Sequence, residues 1–242
     1  MRQKITLVTG AGRGIGEATA MKFLENGHFV YFIIHKKSQK ISLIKRIKKY
    51  KSFKIFAGDL TKKTFLNKLS NQIDYCDNLI NNAASTNKKK FTKVSEKDFE
   101  NLIKINLKSV FFMSQIFAKK MIKKKISGNI INLSSQLGHI GAFNRSIYCL
   151  TKFGIEGLTK SSALDLAQYD IKVNSVSPTK TITHKNEEKF QKKRLNLIKK
   201  KIPIQKFPSS LEIANSIYFI CENSKTMTGS NLRIDGGWTA GK

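Results

Sequence analysis

The stretch KITLVTGAGRGIG, residues 4–16, decides the fold. Residues 5–8 are apolar or β-branched, which is typical of a strand that is buried on both faces. From Glu17 to Asn26 apolar side chains recur at helical spacing, and Asn26-Gly27 is a typical helix end. A second strand-like run follows at Phe29–Ile34. This order of strand, glycine turn, helix and strand predicts a βαβ unit, whose turn lets the backbone approach a phosphate group at a helix amino terminus.

The same alternation continues along the chain. Strand-like runs lie near residues 53–57, 78–81, 129–133, 171–176 and 231–234, with helical stretches between them. This alternation predicts an α/β fold: a Rossmann-like, doubly wound parallel sheet of about seven strands, with ligands at the carboxyl ends of the strands. With 242 residues and 40% hydrophobic content, the chain is expected to form a single domain over residues 1–242.

Tyr148 and Lys152 form the first candidate for chemistry. They lie four residues apart at the predicted start of a helix, so both side chains project from one face, one turn apart. A positive charge beside a phenol favours the phenolate and lowers its pKa. We therefore expect the pKa of Tyr148 to be lowered toward neutral pH, a shift of roughly 3 units from its ordinary value. The same spacing is also common on exposed helix surfaces, so the pair needs support from other residues.

The glycine turn supplies that support, because residues 9–16 follow the spacing Thr-Gly-x-x-x-Gly-x-Gly. Together with Tyr148 and Lys152, this spacing resembles the short-chain dehydrogenase/reductase family. Ala84 and Thr179 stand where the family usually carries Gly, so the turns near the nicotinamide are expected to differ slightly. Other segments match the family's pattern in the same order along the chain: Asp59-Leu60, Asn81-Asn82-Ala83-Ala84, Asn106, Ile131–Ser135, Val173–Pro178 and Leu232–Gly237.

The resemblance implies a catalytic set of four residues. Tyr148 would act as general acid, Ser135 would hydrogen-bond the substrate oxygen, and Lys152 would support both Tyr148 and the nicotinamide ribose. Asn106 would hold a water that links Lys152 to solvent. Ser134 competes with Ser135, but Ser135 lies thirteen residues before Tyr148, which is the family's usual interval. The implied cofactor-binding residues are Gly10, Arg13, Gly14, Ile15, Gly16, His35, Lys36, Asp59, Leu60, Asn82, Ala83, Tyr148, Lys152, Pro178 and Thr183, and no metal is expected.

The choice of cofactor follows from the charge after the second predicted strand. In this fold an acidic residue there binds the free ribose hydroxyls of NAD(H) and repels the 2′-phosphate of NADP(H). Ile34 stands at that place, His35-Lys36-Lys37 follow it, and Arg13 lies in the glycine turn. The sequence therefore predicts NADP(H) in preference to NAD(H). Because lysine is frequent throughout the chain, the missing acid at Ile34 is the better evidence.

The substrate is less closely defined. A substrate loop and helix are expected over about residues 181–203, where many side chains are basic and favour an anionic substrate. Gln136 and His139 lie beside the candidate catalytic serine and favour hydroxyl groups, so a sugar, polyol or sugar acid is expected. The alternative substrate is a 3-oxoacyl thioester of an acyl carrier protein. Phe143 and Asn144 are expected to line the same pocket.

The charge balance is unusual, since 45 Lys and Arg stand against 16 Asp and Glu, a formal net charge of +29. A nucleic-acid partner is one explanation. However, six of the basic residues are Arg and the lysines are spread over many segments, which favours a compositional bias. No apolar run approaches about 18 residues, and the first strand begins close to Met1, so neither a membrane span nor a signal peptide is expected.

Three scattered cysteines fit neither a disulfide framework nor a metal site and indicate a reducing, cytoplasmic location. The family resemblance implies a homodimer or homotetramer that uses helices near residues 98–124 and 148–167 and the carboxyl-terminal strand. A catalytically lapsed binding protein with the same fold is the non-enzyme alternative, although all four catalytic side chains are present. The expected partners are a small-molecule carbonyl or alcohol substrate and further copies of the chain, with no specific nucleic acid and no membrane.

Overall fold

Seven parallel strands form one sheet in the computed structural model, which describes residues 2–182 and 195–241. Their order across the sheet is β3-β2-β1-β4-β5-β6-β7, so the doubly wound prediction is confirmed. The predicted strands match closely, although β6 begins one residue later than expected and runs on to Pro178. The strands are β1 Ile5–Thr9, β2 Phe29–Ile34, β3 Phe53–Ala57, β4 Asn78–Asn81, β5 Asn129–Leu133, β6 Lys172–Pro178 and β7 Asn231–Ile234.

The helices cover both faces of this sheet. A π-helical turn, Lys104–Lys108, joins two of them end to end, and a short 3-10 turn, Gln136–Gly138, follows β5. Across residues 2–182 and 195–241, no helix combines the length and apolar character that crossing a bilayer requires. The helices are α1 Gly14–Glu25, α2 Lys37–Ile47, α3 Lys63–Gln72, α4 Glu96–Ile103, α5 Ser109–Lys123, α6 Ser146–Ala167 and α7 Ser210–Glu222.

The hydrophobic core has two layers, one on each face of the sheet. Neighbouring residues of β1 point to opposite layers: Leu7 belongs to one cluster and Val8 to the other. Side chains of α3, α5 and α6 complete the first cluster, and side chains of α1, α2 and α7 complete the second. Because both faces are covered, the central strands are apolar without alternation, which is why they were recognisable in the sequence.

The sheet has its topological switch point between β1 and β4. β1 pairs with β2 on one side and with β4 on the other, so the chain winds outward in opposite directions from this pair. In open α/β sheets the crevice at such a point, at the carboxyl ends of the strands, is where ligands bind. The glycine turn after β1 and the Asn82 segment after β4 meet at that crevice.

Candidate active site

The glycine turn is locked to the end of β4 by two side chains. Asn82 donates from Nδ2 to the Thr9 carbonyl oxygen at 2.9 Å, and the Thr9 hydroxyl accepts from the N–H groups of Asn82 and Ala83 at 3.0 Å. Gly10 has a φ of +67°, and a Cβ there would lie 2.8 Å from Asn82 Nδ2. A side chain at Gly10 would therefore both strain the backbone and displace the lock.

Helix α1 begins inside this turn. The predicted helix from Glu17 starts three residues earlier, at Gly14, so Ile15 and Gly16 belong to its first turn. The N–H groups of a first turn have no partner within the helix and can bind an anion. The glycine cradle and this helix end together fit the pyrophosphate of a dinucleotide.

A cleft of about 810 Å³ opens over the glycine turn. It passes the ends of β2, β3 and β4 and reaches α4 and the π-helical turn. Sequence reasoning missed several of its lining residues, among them Gln39, Thr61 and Asn101, because their side chains follow no motif. Eleven of the predicted cofactor residues line it: Gly10, Arg13, Gly14, Ile15, Gly16, His35, Lys36, Asp59, Leu60, Asn82 and Ala83.

The end of the cleft at β2 is basic, since Arg13, His35 and Lys36 line it. Ile34 is 1% exposed, so it brings an apolar wall and no carboxylate. The acid in this region is Asp59, whose carboxylate accepts from the Thr61 N–H at 2.9 Å and the Thr61 hydroxyl at 2.8 Å. Burial alone would raise the pKa of Asp59, but these hydrogen bonds and the nearby His35 hold it below its ordinary value.

Ser135, Tyr148 and Lys152 come together where β5 meets α6. Ser135 lies two residues beyond β5, its hydroxyl accepts from the Leu137 N–H at 3.2 Å, and its side chain acts on the Tyr148 phenol. Lys152 lies one helical turn after Tyr148, with Nζ 5.7 Å from the centre of the phenol ring. The Lys152 ammonium donates to the Leu133 carbonyl oxygen at 2.6 Å, which ties α6 to the end of β5. Helix α6 begins at Ser146, two residues before the expected start.

The ionisation of this group differs from the sequence-based expectation. Burial raises the pKa of Tyr148 above its ordinary value, while the hydrogen bond with Ser135 and the charge of Arg145 act in the opposite direction. The expected lowering of the Tyr148 pKa by Lys152 is therefore wrong, because the ammonium lies beside the ring and donates to a backbone carbonyl. Burial lowers the pKa of Lys152 itself to about 8, against the attraction of Glu156.

Asn106 lies in the π-helical turn and is buried. Its Oδ1 accepts from the Ser85 N–H at 2.8 Å, and its Nδ2 donates to the Ser85 carbonyl oxygen at 3.0 Å and to the Thr151 hydroxyl at 3.1 Å. Asn106 thus joins the segment after β4 to the residue preceding Lys152. The water relay from Lys152 to solvent stays a prediction.

Other predicted residues have different surroundings. Pro178 ends β6 and is buried, and Thr183 lies outside the described residues. His139 is hydrogen-bonded to Ser177, with Nε2 3.1 Å from the hydroxyl oxygen, so this ring nitrogen already has a partner. Phe143 is 95% exposed and lines, with Asn144, a separate hollow of about 440 Å³.

Gln136 Oε1 and Thr179 Oγ1 are among the buried polar atoms that have no hydrogen-bond partner within the described residues. Gln136 is 7% exposed and directly follows Ser135. Buried polar atoms without partners cost free energy, so such atoms mark places where a ligand can supply the missing contact. Thr179 is one of the two departures from the family's glycines.

Arg145 is a site residue that sequence reasoning missed. Its Nη1 donates to the Thr86 hydroxyl and to the Asn87 carbonyl oxygen, both at 2.5 Å. These bonds join the start of α6 to the segment after β4. A basic residue three positions before Tyr148 was the available signal. Across residues 2–182 and 195–241, no three His, Cys, Asp or Glu side chains converge as metal ligands.

Comparison with known proteins gives consistent results along nearly the whole chain. A family model described as short chain dehydrogenase matches residues 4–194. The 3-oxoacyl-acyl-carrier-protein reductase FabG of Buchnera aphidicola is 36% identical over 247 residues, covering 98% of each chain. The L-xylulose reductase of Homo sapiens is 31% identical, covering 97% of this chain and 96% of its own.

Solved structures agree with these sequence matches. ElxO with NADP bound is 28% identical, with a TM-score of 0.91 over 99% of this chain and 100% of that chain. 4-hydroxyisoleucine dehydrogenase complexed with NADH is 31% identical, with the same TM-score and coverage. Of these two structural neighbours, one therefore binds NADP and the other binds NADH.

Proposed function

Because the chain belongs to the short chain dehydrogenase family of oxidoreductases, we propose that it interconverts a carbonyl group and a secondary alcohol with NADP(H), on a sugar, polyol or sugar acid. The observation that carries this proposal is the convergence of Ser135, Tyr148 and Lys152 where β5 meets α6, beside a separate cleft over the glycine turn that could hold the cofactor. A catalytically lapsed binding protein would have no need to keep Lys152 buried and charged.

The reaction follows from what each side chain can donate. A bound nicotinamide cofactor supplies the hydride. Negative charge then develops on the substrate oxygen, where Ser135 donates a hydrogen bond and Tyr148 donates its proton. Because the pKa of Tyr148 is raised, its hydroxyl carries that proton at neutral pH. Lys152 would bind the nicotinamide ribose, and Asn106 would keep the helix end at Thr151 in register.

The unpartnered Gln136 Oε1 supports a hydroxyl-bearing substrate. A carboxamide oxygen accepts a hydrogen bond from a hydroxyl group, and an oxoacyl chain offers none. The L-xylulose reductase relative acts on a keto-sugar by its name. The alternative, a 3-oxoacyl thioester, is supported by the FabG relative at 36% identity.

A panel of carbonyl substrates tests the reaction and the substrate class together. We expect NADPH oxidation with keto-sugars or keto-acids of sugars at a higher kcat/KM than with a 3-oxoacyl thioester. In Gln136→Met, which keeps the volume and removes the acceptor, KM for the sugar should rise about tenfold, as expected for about 1.4 kcal/mol. The thioester is the control, since its KM should not change. A higher kcat/KM for the thioester would transfer the assignment to the alternative.

The proposed preference for NADP(H) rests on the basic end of the cleft. Lys36 lines the cleft, whereas the exposed Lys37 begins α2 one residue beyond that lining. We expect the wild type to have a KM for NADPH at least about tenfold below that for NADH. Lys36→Glu should raise the KM for NADPH by about tenfold and change that for NADH little. Lys37→Glu makes the same charge change and should leave both constants near wild type. A wild-type preference for NADH would contradict the assignment.

We also propose assembly into a homodimer or homotetramer. Four phenylalanine side chains are exposed on three of the helices: Phe99 on α4, Phe111 and Phe112 on α5, and Phe153 on α6.

The three cysteines are free, which supports a reducing, cytoplasmic location. We propose no specific nucleic-acid partner for this chain, because the lysines behind its net charge of +29 are spread over many segments.

A further inference from the structure

A buried carboxylate lies behind the catalytic lysine. Glu156 is 8% exposed and follows Lys152 by one turn of α6. Its Oε2 accepts from the Ser175 hydroxyl at 2.8 Å, its Oε1 accepts from the Ser177 hydroxyl at 3.3 Å, and Asn231 Nδ2 lies 3.1 Å from Oε1. Two hydroxyl groups of β6 and one amide of β7 therefore surround one carboxylate of α6.

The hydrogens in this cluster favour the ionised form of Glu156. Asn231 Nδ2 lies 2.7 Å from the Ser175 oxygen and 2.8 Å from the Ser177 oxygen. An amide nitrogen only donates and carries two hydrogens, so at these shorter distances each serine oxygen accepts one of them, and the serine hydroxyl hydrogens can point to Glu156. An ionised carboxylate accepts without donating, which matches this arrangement.

The same cluster reaches the loop that carries the catalytic serine. His139 Nε2 lies 3.1 Å from the Ser177 oxygen and 3.7 Å from Glu156 Oε1. His139 ends the short turn that begins directly after Ser135. That turn is packed tightly on α6, because a Cβ at Gly138 would lie 2.9 Å from the Lys152 carbonyl oxygen.

We propose that Glu156 is a positioning residue for the reduction: it keeps Lys152 charged in a nearly closed site and holds the His139 end of the Ser135 loop against α6. The proposal rests on the function proposed for Lys152. An opposite charge one helical turn away stabilises a buried ammonium, which burial otherwise disfavours.

The titratable groups around Lys152 define what a pH profile will report. Tyr148 lies beside its ammonium, and Glu156 is the charge that raises its pKa against the effect of burial. Arg145 and Cys149 act on Tyr148. Without Glu156, burial would act on Lys152 unopposed, and the pKa of Lys152 would fall below about 8.

The test is the pH dependence of kcat/KM for NADPH, which reports the free enzyme. We expect the wild type to lose activity on the alkaline side as Lys152 deprotonates. In Glu156→Gln this limb should move about one pH unit lower, so that activity lies about fivefold below the wild type at pH 8 and hardly below it at pH 6. Asp165→Asn removes an exposed carboxylate from the same helix and should keep the wild-type profile. Glu156→Asp retains the charge and should shift the limb less than Glu156→Gln.

An alkaline limb of Glu156→Gln that coincides with that of the wild type would overturn the proposal, even if total activity fell. A wild type without activity on any carbonyl would instead refute the proposed function. If thermal melting showed Glu156→Gln to be unfolded, Glu156→Asp would decide: an alkaline limb below that of the wild type supports the proposal, and an unchanged limb overturns it.

Discussion

Tyr148→Phe should abolish carbonyl reduction while leaving cofactor binding and folding nearly intact. The substitution removes the proton donor, and general acid catalysis is worth about 10²–10⁴-fold in rate. The phenyl ring still fills the half-buried position, and Lys152 keeps its ring contact and its bond to the Leu133 carbonyl oxygen. We therefore expect kcat to fall by at least about 10²-fold. The Kd for NADPH, measured by quenching of the single tryptophan, Trp238, should stay within about threefold, a small change in binding free energy.

A matched substitution separates loss of the hydroxyl group from a general effect of the change. Tyr169 is exposed just past the end of α6, so Tyr169→Phe removes a hydroxyl away from the site and should behave as wild type. Retention of activity within about tenfold in Tyr148→Phe would contradict the general-acid role, because even weak acid catalysis exceeds that factor. Loss of NADPH binding would indicate that the hydroxyl serves the cofactor instead.

The central strands were predictable because they are buried on both faces. β2 is a continuous apolar run, and β1 and β5 carry adjacent apolar residues without alternation, so no periodicity has to be resolved to recognise them. The residues at which helices begin were harder to predict from the sequence. Glycine disfavours helix, yet α1 begins at Gly14 because the turn and the lock to β4 fix the backbone there. The π-helical turn at Asn106 leaves no trace in helical spacing.

The sequence was enough to predict which residues form the candidate site, but not how their charges and pKa values are set. The spacing of Tyr148 and Lys152 places them on one face of a helix, which the structure confirms. It does not reveal that the ammonium binds the Leu133 carbonyl oxygen or that burial dominates both pKa values. Glu156 resembles a solvent-facing helical residue in the sequence. Its partner Asn231 lies 75 residues further along the chain, so only the folded sheet reveals its burial.

Lys152→Met should make the protein more stable at neutral pH and inactive. Lys152 is 3% exposed, and burial lowers its pKa from 10.5 to about 8. A difference of about 2.5 units corresponds to about 3 kcal/mol of folding free energy that the buried ammonium costs below pH 8. Methionine has a similar unbranched shape and no charge. The Leu133 carbonyl oxygen loses its partner, at a cost of about 1 kcal/mol, so a net gain of about 2 kcal/mol is expected.

The pH dependence of this gain identifies its cause. Between about pH 8 and 10.5 the unfolded chain holds a proton on Lys152 that the folded chain has lost, so the wild type gains stability relative to the variant as pH rises. Urea unfolding should therefore show the advantage of Lys152→Met in full below pH 8 and largely gone above pH 10.5. Lys160→Met, an exposed change on the same helix, should show neither the gain nor its pH dependence. If Lys152→Met were less stable than the wild type at pH 7, or if the difference held constant across that window, the buried ammonium would not be the source of the cost.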